Sequence, residues 1–186
     1  MCFSNSVCLI GFHGTSFARA AAILAHGYHY VSSEEDWLGS GVYFFMDGFS
    51  CAKANAVEWA SNKYLNEEFA VVKSVVELDS SRVLDLTSMQ GLAIYNNTRL
   101  KILERCGDAL KYRRDTSIKK RRDIRLDDKI ITDLVLKELE VDVLVHNVYI
   151  KNRQQRELVL ESSYPNATVF SVGNLSFIRQ SEIVCL

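Results

Sequence analysis

Proline is nearly missing from this chain. Pro165 stands alone among 186 residues, so no stiff proline-rich spacer divides the sequence. No low-complexity tract marks a linker and no internal repeat is visible. Long apolar runs are missing too. Ile130–Leu136 is among the longest and is interrupted by Thr132 and Asp133, whereas a helix crossing a bilayer needs about 20 apolar residues. The opening residues "MCFSNSVCLIGFHG" lack the basic start and extended apolar stretch of a signal peptide. The five cysteines (Cys2, Cys8, Cys51, Cys106, Cys185) are odd in number, and no two have the spacing of a metal-binding pair. They read as reduced thiols of a cytoplasmic protein without a metal centre. What these absences leave is one domain over residues 1–186, long enough to bury a core of its own.

Charge is present but unevenly placed. The formal net charge is −1. Between Arg99 and Arg125, however, eleven Lys/Arg face four Asp/Glu, a local excess of +7 that leaves −8 for the rest. The densest part is "KYRRDTSIKKRRDIR", residues 111–125. A solvated helix face or a mobile loop would explain such a run. A footprint for a polyanion such as nucleic acid, or for an acidic protein partner, would explain it as well. Binding that weakens with salt separates the two.

The remaining pattern predicts an α+β domain. Residues 7–13 read as a strand. Ser16 is placed to cap a helix through "FARAAAILAH", which Gly27 ends. "YHYV" reads as a short strand, and "SSEEDWLGSG" as a polar loop leading into the strand "GVYFFM". Helical spacing follows from Cys51 to about Leu65. "FAVVKSVVEL" (69–78) predicts a long buried strand and "RVLDL" a short one. Helices are expected over 88–106 and 126–140, with the basic insert of about 99–125 between their cores. "VDVLVHNVYI", "ELVLES", "ATVFSV" and a last short run at "SFI" complete the strands. Early strand–helix alternation followed by clustered strands points to α+β rather than a doubly wound sheet.

Two motifs carry chemistry in their order. "FHGTS" (12–16) ends the first strand, with Gly14 open to close approach and His13 and Thr15 on either side. "WLGSGVYFF" (37–45) follows about thirty residues later, with "CAKANAVEWA" (51–60) behind it. Together these resemble the His-Tyr-Glu branch of the ADP-ribosyltransferase superfamily, the group of the poly(ADP-ribose) polymerases and diphtheria toxin. The resemblance is strongest over residues 7–65. It implies a fold of central split antiparallel sheets flanked by helices, and NAD+ as co-substrate.

Carried onto matching positions, the resemblance implies that His13 hydrogen-bonds the adenosine-side ribose. Gly14 holds the nicotinamide amide through its backbone, Thr15 supports the turn, and Tyr43 stacks on nicotinamide. Breaking the glycosidic bond passes through an oxocarbenium-like state, which needs a clamped dinucleotide and a carboxylate near the ribose. The family's pattern places that carboxylate at Glu157, which opens "ELVLES". Gln155, two residues earlier, stands where toxin relatives choose the acceptor. A rival register through "ATVFSVGNLSFI" puts Val169 at the glutamate position, leaving the role to Glu157, to Glu161, or to neither. The implied activity is mono-ADP-ribosyl transfer by a toxin or defence effector with an antitoxin or immunity partner. The basic insert, with Lys119, Lys120, Arg121 and Arg122, makes nucleic acid the expected acceptor, RNA before DNA. A protein acceptor, NAD+ hydrolysis and a catalytically inactive binding module are the alternatives.

Overall fold

The computed structural model describes residues 5–33, 36–116, 124–160 and 162–184. Its centre is a seven-stranded sheet. Strand β1 (Ser6–Ser16) runs antiparallel to β3 (Phe69–Asp79) along its whole length, from Ser6 opposite Asp79 to Ser16 opposite Phe69. β7 (Ile178–Val184) closes the outer edge of β3. On the other side lie β2 (Val42–Met46), β6 (Ala167–Val172), β5 (Val143–Val148) and β4 (Val83–Asp85), giving the order β4-β5-β6-β2-β1-β3-β7. Among the described residues, only β4 and β5 pair in parallel. The coarse α+β class is therefore as the sequence predicts.

The ladder that joins β1 to β2 is short. β1 and β2 share one register pair, Phe12 opposite Phe45. A half-sheet of β1, β3 and β7 thus meets a half-sheet of β2, β6, β5 and β4 at a pinch point. Opposed residues in a ladder share a face, and successive residues alternate faces. Phe12, Tyr43 and Phe45 therefore share one face, and His13 and Phe44 the other.

The first of these faces is covered by helices. α2 (Ala52–Lys63), α3 (Met89–Thr116) and α4 (Ile124–Leu139) bury Ala56, Ile102 and Val135 against Phe45, Leu144 and Val169. The second face holds Phe44, Val145 and Phe170, with Tyr28, Tyr30 and Phe177 packed on them. α1 (Phe17–His26) covers its β3 side through Ala20 against Val72. The Ser16 hydroxyl accepts from Arg19 N and Gly27 ends the helix, as the sequence predicts. Among the described residues, no helix is long and apolar enough to cross a membrane.

Several sequence expectations are corrected. Tyr28–Val31 forms no strand. Its tyrosines turn inward instead, Tyr28 Oη lying 2.9 Å from Ser74 Oγ and Tyr30 Oη donating to Asp36 at 2.7 Å. α3 does not stop at residue 106 but runs on to Thr116, so the start of the basic insert is helical. The run expected at "SFI" is a 3-10 turn at Leu175–Phe177, with β7 following it.

The strand expected over "ELVLES" is also absent. Arg153–Glu157 is a short helix, α5, and a turn follows with Val159 at φ +55. The cause is local. The Asn152 side chain accepts from Gln155 N, and the Gln155 side chain accepts from Asn152 N, a reciprocal cap that starts a helix.

Candidate functional site

His13 sits where β1 parts from β2. Its Nδ1 lies 2.8 Å from the Tyr43 carbonyl. A carbonyl only accepts, so Nδ1 carries the proton and Nε2 is left as an acceptor. The ring is held edge-on by Tyr28, with centroids 5.7 Å apart, and tilted against Phe44 at 5.9 Å. Tyr28 is itself fixed by Ser74, whose hydroxyl lies 2.9 Å from that of Ser181. His13 does not end its strand, as the sequence suggested, but lies inside β1, which continues to Ser16; with its ring and its tautomer fixed, it is prepared to receive one hydroxyl donor.

Burial pushes the His13 pKa below the usual 6.5, and the cations Lys63 and Arg19 push the same way against the Tyr43 bond. The unfolded chain therefore takes up a proton near pH 6.5 that the folded protein refuses. His13 stabilises the fold fully above that pH, and the contribution is lost as pH falls toward its folded value. His146, lowered by burial, acts in the same direction. Thermal unfolding followed from pH 7.5 to 5 is expected to show a falling midpoint, with a shallower slope in His13→Gln. Identical slopes would remove His13 from this account.

Tyr43 meets His13 through its carbonyl, while its ring lies on the other face. The phenol accepts from Leu38 N at 2.7 Å and donates to Gly39 O at 2.9 Å, and Trp37 packs edge-on at 6.4 Å. Burial raises its pKa, so the hydroxyl keeps its proton. In this arrangement Tyr43 ties the loop before β2 to the strand; its ring does not share a wall with His13.

Gly14 is buried on the Tyr43 face. A Cβ there would stand 2.2 Å from the Ala56 carbonyl oxygen, so the close approach that glycine permits is that of α2. Thr15 is buried opposite Ala70.

The carboxylate end of the expected site is placed differently. Glu157 is exposed at the end of α5 and pairs with Arg153 at 2.8 Å. α5 leans on α2, where Glu58 accepts from Arg153 N. Gln155 is committed to its helix cap. Lys119, Lys120, Arg121, Arg122 and Glu161 lie outside the described residues. Among the described residues, no group of three His, Cys, Asp or Glu could hold a metal.

One cluster escapes the motifs. Asp133 on α4 accepts from Ser40 N at 2.5 Å and from Ser40 Oγ at 2.8 Å. Lys129, one turn earlier, donates to Ser40 Oγ at 2.7 Å and to Asp133 at 3.0 Å. This clamp holds the loop whose Leu38 and Gly39 grip the Tyr43 hydroxyl. Its trace in the sequence is the pair Thr132-Asp133 inside an apolar run, four residues after a lysine on the same helix.

No family model and no solved structure matches this chain. A similar curated protein is an uncharacterized protein of Methanocaldococcus jannaschii, 28% identical over 106 residues, which cover 52% of this chain and 49% of the relative. The chain thus spans about half the length of the relative it matches.

Proposed function

We propose that this protein binds NAD+ where the two half-sheets part and transfers its ADP-ribose to nucleic acid, RNA before DNA. The observation that carries the reading is His13, whose committed Nδ1–H leaves Nε2 to accept from a ribose hydroxyl. Tyr43 and the clamp behind it act as positioning residues, holding the strand whose carbonyl orients His13. In the reaction the bond between nicotinamide and the ribose C1′ breaks, nicotinamide leaves with the bonding electron pair as a neutral molecule, and an acceptor atom bonds C1′ and releases its proton to solvent. The basic insert supplies the phosphate contacts of the acceptor. A compact enzyme of this kind suits a cytoplasmic toxin or defence effector restrained by a protein antitoxin.

A second reading is a binding module that holds the dinucleotide without transferring it. The exposed, ion-paired Glu157 favours it. The two part in one experiment, incubation of the protein with NAD+ labelled in the adenosine moiety and with total RNA, DNA or protein. Transfer puts label into RNA, and His13→Ala abolishes it. Replacing Lys119, Lys120, Arg121 and Arg122 by alanine is expected to cut RNA labelling about tenfold or more, by loss of phosphate contacts, while sparing NAD+ hydrolysis. Free ADP-ribose alone means hydrolysis, label in protein alone means a protein acceptor, and bound but intact NAD+ means the module. With no NAD+ bound or consumed, the reading falls.

A further inference from the structure

Two cations beside His13 have no task in the account above. Arg19 lies in the first turn of α1 and Lys63 in the last turn of α2, and Tyr64 stands between them. Arg19 Nη1 donates to the Tyr64 hydroxyl at 3.2 Å. Lys63 Nζ lies 6.0 Å from the Tyr64 ring centroid and 5.9 Å from that of Trp59. β1 runs from His13 through Ser16 directly into the first turn of α1, and α2 packs on β1 at Gly14, next to His13; both cations also act to lower the His13 pKa.

Neither cation has a carboxylate partner among the described residues, whereas Lys73, Arg82, Arg105 and Lys129 each hold one. Two like charges gathered on one tyrosine repel each other, and an anion between them removes that cost. The neighbouring hollow lined by Phe17, Leu65, Glu67 and Glu68 carries the opposite charge, which confines an anion to the His13 side.

We infer that Arg19, Lys63 and Tyr64 form a phosphate cradle that takes the diphosphate of a nucleotide whose ribose His13 holds. The identity of that nucleotide as NAD+ rests on the proposed function; the cradle itself does not. The site is open to solvent, so each contact is a screened, charge-assisted hydrogen bond rather than a buried ion pair.

The test is calorimetric titration of the whole protein with inorganic pyrophosphate, ADP and adenosine at two salt concentrations. The wild type is expected to bind pyrophosphate, to bind ADP more tightly than adenosine, and to lose the difference at high salt. Arg19→Ala with Lys63→Ala is expected to weaken ADP binding about three- to thirtyfold, from two charged contacts at exposed sites, and to leave adenosine unchanged. The charge-keeping pair Arg19→Lys with Lys63→Arg should restore most of the loss, which separates the cradle from an effect on folding. Absence of pyrophosphate and ADP binding in the wild type overturns the inference. So does unchanged ADP binding in the alanine pair. If the cradle behaves as expected but the wild type neither binds nor consumes NAD+, the dinucleotide reading fails and the cradle stands. If NAD+ is consumed and the alanine pair leaves its KM unchanged, the cradle fails and the reading stands.

Discussion

Asp133→Ala is expected to lower the unfolding free energy by about 2–4 kcal/mol, because it leaves a buried ammonium short of its counter-charge. Lys129 is only 9% exposed, and its ammonium has Asp133 and Ser40 as partners. Removing the carboxylate also strips two acceptors from Ser40. The figure is set below the full range for breaking a buried pair because the Asp133 side chain is 34% exposed. Lys129→Met with Asp133→Leu should recover much of the loss, since an apolar pair of similar volume leaves no ion to solvate. Denaturant titration of the three proteins gives the comparison. A single-variant cost within about 0.5 kcal/mol would mean the pair behaves as an ordinary surface bridge.

The pH dependence of that loss is fixed in sign. Burial works against the Lys129 charge, but the Asp133 hydrogen bond and attraction outweigh it and hold the pKa above the usual 10.5. A group whose pKa is raised on folding contributes fully below its unfolded value and loses the contribution as pH rises through its folded one. Above neutrality the Asp133→Ala deficit should therefore stay flat until strongly alkaline solution, where Lys129 loses its proton and the deficit shrinks. The same variant frees the loop behind Tyr43, so it should also weaken the dinucleotide binding proposed at His13 without touching any ligand atom.

Local signals in the sequence did well where one local cause decided the outcome. Ser16 and Gly27 bound α1 because capping is a contest among a few backbone groups. The long apolar run of 69–78 became β3 because nothing interrupts its ladder to β1. "ELVLES" failed for the same reason in reverse. Its apolar content suggested a strand, but the reciprocal bonds of Asn152 and Gln155 commit the preceding residues to a helix, and Leu158, Val159 and Leu160 are left exposed. The order His13, Gly14, Tyr43 was legible; the faces on which their side chains fall were not. Those faces follow from the pairing of Phe12 with Phe45, and a shift of one residue would exchange every side chain. The Ser40–Asp133 clamp was out of reach because it joins residues 93 apart.

Gly14 tests what that register means. If its missing side chain served only to admit a ligand to the backbone, Gly14→Ala would impair binding and leave stability alone. The structure gives the space to α2 instead, with Ala56 O 2.2 Å and Ala60 Cβ 3.1 Å from where a Cβ would sit. The nearer obstacle is backbone, which cannot swing aside like a side-chain tip, so α2 must move off the sheet. The expected cost is about 2–3 kcal/mol, in the upper part of the range for overpacking a core. Gly107→Ala supplies the control. It lies within α3 with nothing within 4 Å of an added Cβ, so it should stabilise the protein by about 0.5–1 kcal/mol through helix propensity alone. Unfolding midpoints moving in opposite directions for the two alanines would assign Gly14 to helix packing. A Gly14→Ala protein as stable as the wild type would return this glycine to the ligand.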